Sequence, residues 1–181
     1  LVEGDGAAAA GLPAGLGWER LENGRRILGA LGARARGWHG GEFEALAPVR
    51  QWIGELSGED QRCLLFAAAE GLGTGVRWGS TEQRCFWLIW EMGVELGAAD
   101  VRLLGAVAGP QWPAAFELAL SHAAKLLEEG APGAPAVADG LADRALGWNP
   151  MYRISARARH AEDLRRFGDF APNRWPFGPF G

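Results

Sequence analysis

The sequence predicts an all-α fold, an irregular bundle of about seven or eight helices around a central buried helix over 80–97. Three observations predict it. Apolar residues recur at three- and four-residue spacing in segments bounded by glycine, proline and capping residues. No stretch alternates in the manner of a strand. The 181 residues are 48% hydrophobic and 22% charged, enough for one domain with a real core. One helical domain is expected over 18–167, with a linker near 130–136. Irregular extensions flank it: a Gly/Ala-rich one over 1–17 and an aromatic, proline-rich tail over 168–181.

The central helix is read from its ends inward. Ser80 followed by Gln83 is a capping-box pattern, in which side chains satisfy the free N–H groups of a helix start. Gly97 suits the left-handed residue just past a helix end. On a 3.6-residue wheel Arg84, Glu91 and Glu95 form one narrow stripe. Phe86, Trp87, Ile89, Trp90, Met92, Val94 and Leu96 cover most of the rest, so the helix belongs inside a bundle. It is too short, and too charged in its second half, for a membrane span.

The stretch has an echo. Asp60-Gln61-Arg62-Cys63 and Glu82-Gln83-Arg84-Cys85 match at an offset of 22 residues, and Gly71 then corresponds to Gly93. Two similar helices packed as neighbours are expected, short of the three or so units of a solenoid.

In chain order, a first helix is expected from Trp18 to about Arg36, with Leu21, Ile27, Leu28 and Leu31 on a weak apolar face and Gly24, Gly29 and Gly32 weakening it. After the Gly37–Gly41 break, Phe43, Leu46, Val49, Trp52, Ile53 and Leu56 recur at helical spacing, and Pro48 marks a possible start. Ser57 with Asp60 opens the next helix, and Gly71 to Gly79 reads as a loop. Asp100 suits the cap of a short helix ending near Gly109. Pro113 suits a first helical position, and that helix, ended by Gly130, carries Phe116, Leu120, Ala123 and Leu127 on one face. APGAPA reads as a stiff linker, followed by a short helix over 137–146. Ser155 suits the cap of a basic helix running to Phe167. The end, DFAPNRWPFGPFG, has too many prolines and glycines for regular structure.

Composition limits the functions. A net charge of −4 argues against a dedicated nucleic-acid binder. Residues 41–150 carry 15 acids and 7 bases, whereas 151–181 carry 3 acids and 6 bases, so the tail suits an acidic surface. Abundant Gly, Ala, Arg and Trp beside a single lysine point to a GC-rich genome. A first residue of Leu1 rather than Met reads as a processed, trimmed or fragmentary chain. Two cysteines make no disulfide framework.

Each candidate for chemistry has a plainer reading. Glu91 and Glu95 beside Arg84 have the types for a metal or proton relay, yet the Glu-x-x-His pairs of a di-iron bundle are absent, and an ion-paired stripe explains them. His122, among the small residues of SHAA, suits an axial tetrapyrrole ligand; a half-exposed histidine at the edge of an apolar face explains it equally. His39 and His160 have no stronger claim. Cys63 and Cys85 read as buried thiols. Gly71-Leu72-Gly73-Thr74-Gly75 lacks the strand and the Gly-Lys-Ser/Thr ending of a phosphate loop.

Arg157, Arg159, Arg165 and Arg166 form a basic run broken by Glu162 and Asp163, as in a salt-bridged surface helix. Trp175, Phe177 and Phe180 cannot bury themselves within an irregular tail. They call for a groove on this chain or on another.

Gly75-Val76-Arg77-Trp78-Gly79, entering a very apolar helix, resembles the BH1 segment of Bcl-2-family proteins, which are helical domains of about this size. Ser80 stands where that segment carries an arginine, and the next Gly-Trp comes only at 147–148. The resemblance implies a helical regulator as a minor alternative.

The expected function is therefore a non-catalytic helical interaction or scaffold subunit of a larger assembly. Trp175, Phe177, Phe180, Arg157 and Arg165 are the expected partner-binding residues. No catalytic residue, metal ligand or cofactor is assigned. The alternative is a cofactor- or pigment-binding helical protein, with a tetrapyrrole held by His122 or Glu91. The expected setting is an organelle of a GC-rich eukaryote, with peripheral attachment to a membrane through the complex, or a bacterial cytoplasm.

Overall fold

The structure is a computed structural model that describes residues 17–35 and 42–148. The fold is all-α. Among the described residues there are seven helices and no strand: α1 Trp18–Ala35, α2 Glu42–Glu55, α3 Gly58–Thr74, α4 Thr81–Glu91, α5 Ala98–Val107, α6 Pro113–Glu128 and α7 Ala134–Trp148. They gather into two compact units that part between Glu95 and Leu96.

In the first unit α1 and α3 pack in parallel. Arg20 of α1 reaches Glu59 of α3, and Arg25 reaches Glu70, so sequence advances in the same sense along both. Gly24 sets how closely they approach. A Cβ built there would lie 1.9 Å from the Cys63 carbonyl oxygen, so only glycine fits. The residue read as a weak point of α1 is thus its packing point.

Helix α4 is central to this unit and touches all three of its other helices. Phe86 and Ile89 are buried, and Phe86, Trp87 and Trp90 cluster with ring centroids 5.2–5.7 Å apart. The Phe86–Trp87 pair meets edge to face, the favoured geometry for aromatic quadrupoles. The helix is shorter than expected. It ends at Glu91, Met92 caps it, and Gly93 takes the left-handed conformation at φ +73°. Met92, Val94 and Leu96 therefore do not extend the helical face, and Glu95 lies beyond the helix.

Three other boundaries differ. Pro48 lies inside α2 instead of opening it. Helix α3 runs on to Thr74, so the connector before α4 spans 75–80 and not 71–79. In the second unit α7 starts at Ala134 and takes up the second half of the APGAPA stretch, because Pro135 falls in a first turn, where its missing N–H costs nothing.

The second unit packs α5, α6 and α7 against one another. Pro113 opens α6 as its first residue, and Gly130, at φ +66°, follows its end. The buried face of α6 is broad: besides Phe116, Leu120 and Ala123 it takes in Leu118, Ala119, Ala124 and Leu126. Asp100 is not the cap of α5. It stands three residues past Gly97 and accepts that residue's N–H at 2.8 Å. Arg144 of α7 donates to the Ala108 carbonyl at 2.7 Å, where burial pulls its pKa below the ordinary arginine value. Among the described residues no helix is long and apolar enough to cross a membrane.

Candidate functional site

The two cap motifs form as the sequence reads. The Ser57 Oγ accepts the Asp60 N–H at 3.1 Å, and the Ser80 Oγ accepts the Gln83 N–H at 3.3 Å. At α4 the return bond falls one residue early: the Gln83 Oε1 accepts the N–H of Gly79, at 2.7 Å, not that of Ser80. The shift ties a tight turn to the helix start. Within it the Ser80 N–H bonds the Arg77 carbonyl at 3.1 Å, and Gly79 at φ +72° takes the position that demands glycine. Trp78 is the corner residue of that turn, and its side chain is 61% exposed.

Trp78 stands on the rim of a cleft of about 740 Å³ within the first unit. Arg25, Leu28, Gly29 and Gly32 wall it as one stripe of α1, and Ala67, Glu70 and Gly71 as one stripe of α3. Residues 77–82 close one side. The α1 wall is fixed by two parallel bonds from Arg25 to Glu70, 2.8 and 2.6 Å long, with the guanidinium also 4.7 Å from the centre of the Trp18 ring. The hydrogen bond to Glu70 is the main reason the Arg25 pKa stands above its ordinary value, partly offset by burial. Gly29 and Gly32 leave open space where side chains would stand, which exposes helix backbone to whatever enters.

A second polar knot lies at the start of α3. Arg20 forks onto both carboxylate oxygens of Glu59, at 2.6 and 3.0 Å, and Arg62 joins from the next turn at 3.1 Å. Asn23 donates to Asp60 at 3.0 Å. The Arg20 bond holds the Glu59 pKa below the usual carboxylate range, against a smaller opposing push from burial. These contacts lock α1 to α3.

Of the site residues expected from sequence, Glu91 and His122 are among the described residues. Glu91 is not half of a carboxylate pair on one helix, since Glu95 lies past the helix end; it is bound by Arg50 at 2.7 Å. His122 is half-buried on α6, its Nδ1 lying 3.0 Å from the Leu118 carbonyl. A carbonyl only accepts, so Nδ1 carries the proton, and in the neutral ring Nε2 is the basic nitrogen. Cys63 and Cys85 are both buried and unbridged. Burial pushes the Cys85 thiol up to about 12, with a further push from Glu82, and burial also raises Cys63. Arg157, Arg165, Trp175, Phe177 and Phe180 lie outside the described residues, as do His39 and His160. Among the described residues no three potential metal ligands come together.

Sequence reading passed over Trp78 as a binding residue. The signal was present: a bulky aromatic, then a turn glycine, then a helix cap. That order puts the ring at a corner, where the chain on either side turns away from it.

No protein-family model, curated protein or solved structure matches this chain.

Proposed function

We propose that this chain is a non-catalytic helical interaction subunit of a larger assembly, and that Trp78 is its principal docking residue among those described. The observation that carries the reading is the combination of exposure and rigidity at Trp78. Trp78 is 61% exposed at the corner of a turn whose backbone is hydrogen-bonded, so a contact made there has little backbone freedom left to lose. Tryptophan in that position, beside a cleft, has the character of an interface anchor.

Other features support the same reading. Two carboxylates with chemical potential are held in ion pairs, Glu91 with Arg50 and Glu59 with Arg20 and Arg62. The nine tryptophans of the chain exceed what one small core needs. Met92, 39% exposed, is a second large apolar group open to contact.

The test is made on the chain at natural abundance in its source organism. After gentle extraction and size separation, the wild type is expected to travel with stoichiometric companions and Trp78→Ala to lose them. A wild-type chain migrating at its own mass, with no companion, would end the proposal.

A further inference from the structure

We infer that the first unit docks onto a second copy of itself, the Trp78 of each copy seating in the cleft of the other about a two-fold axis. This rests on the interaction reading above and names its partner.

The patch carries a projection and a recess side by side. Trp78 is 61% exposed at the corner of the 77–80 turn, and it lines one side of a cleft walled also by α1 and α3. A two-fold contact joins a surface to itself, so it needs both halves of its complementarity on one patch.

The recess has room. At about 740 Å³ it is an open cleft whose volume exceeds that of an indole ring. Apart from the neighbouring residues and the backbone of α1 itself, no described atom lies within 4 Å of a Cβ built at Gly29 or Gly32. A flat ring can therefore lie directly against the α1 backbone there. Each Trp contributes about 150–250 Å² of contact at the centre of such an interface.

The charges are self-complementary. Arg25 and Glu70 neutralise one another within the cleft wall. Of the remaining charged lining residues, Arg77 is basic and Glu82 acidic, and they flank Trp78 on the same short segment. A two-fold axis at that segment brings Arg77 of each copy towards Glu82 of the other. A partner of uniform charge, whether a nucleic acid or a strongly basic peptide, would meet a like charge at one of the two.

The experiment is sedimentation equilibrium of the purified full chain over a range of concentrations. The wild type is expected to be a reversible dimer. Trp78→Ala removes the exposed ring, and Gly29→Leu fills the recess where space is open. Each should weaken dimerisation at least about thirtyfold, as expected for loss of an interface anchor. Arg77→Glu and Glu82→Arg should each be monomeric alone, and their equimolar mixture should dimerise. Circular dichroism confirms that each variant is folded.

A monomeric wild type, or a dimer unaffected by Trp78→Ala, overturns the inference. If the wild type is monomeric yet Trp78→Ala still strips companions from the native complex, self-docking fails while the interaction reading stands.

Discussion

Gly24 of α1 faces the Cys63 carbonyl of α3 with no room for a methyl group between them. Helix backbones seldom come so close, and here the contact is framed by two ion pairs, Arg20–Glu59 on one side and Arg25–Glu70 on the other. The glycine sets the distance, and the arginines, each reaching across to α3, fix the register.

Gly24→Ala is therefore expected to be among the most damaging single-methyl changes in the chain. A Cβ 1.9 Å from backbone oxygen cannot be relieved by turning a side chain. The cost should reach or exceed the top of the roughly 1–3 kcal/mol range for overpacking. Gly54→Ala, in α2 with open space around it, should instead stabilise by roughly 0.5–1 kcal/mol. Urea denaturation of the two variants checks both signs; equal effects would refute the close approach.

Ser80→Ala removes the acceptor of the Gln83 N–H at the start of α4. The expected loss is about 1 kcal/mol, the usual cost of an N-cap. Ser57→Ala, the equivalent change at α3, should cost a similar amount. Thermal unfolding measures both.

Glu59 supplies a pH-dependent part of the stability of the first unit. Its folded pKa is depressed, chiefly by the Arg20 bond, so the unfolded chain takes up a proton first as pH falls. The contribution is complete above the unfolded value of about 4.3 and is lost as pH drops through the lower folded value. Glu59→Gln should be less stable than wild type at neutral pH, modestly so for a half-exposed carboxylate, with the difference shrinking in acid. Parallel curves for the two proteins between pH 7 and 2 would contradict this.

The thiols should be silent in the folded protein. Cys85 is buried and its pKa is pushed up to about 12, so almost no thiolate is present at neutral pH. Cys63 is buried and raised in the same direction. At pH 8 an aromatic disulfide reagent should modify neither until denaturant opens the fold, after which both react. Rapid labelling of the native chain would show that one thiol is open to solvent.

Much of the fold was legible because helix ends are local events. Ser57, Ser80, Pro113 and Gly130 carry their signals within a few residues, and each stands at an observed helix end. The end of α4 was not legible for a local reason too. Gly93 and Gly97 both suit a helix stop, and the apolar spacing continues through Val94 and Leu96, so periodicity favours the later one. What distant residues decide was hidden. Gly24 reads as a weakness until Cys63, 39 residues on, is seen against it. Glu91 reads as one of a pair until Arg50 takes it. Trp78 reads as one more tryptophan until the Gly79–Gln83 bond fixes its corner.

The early stop at Gly93 leaves a short run of chain, 92–97, outside any helix, with Met92, Gly93, Glu95 and Gly97 all open to solvent. That run spans the seam between Glu95 and Leu96 where the described residues divide. Met92 and Gly93 turn the chain and Leu96 is buried, so a protease reaches the run best around Glu95, and a cut there would sever no helix. Residues 92–97 are thus the place where an inserted reporter peptide would interrupt no helix.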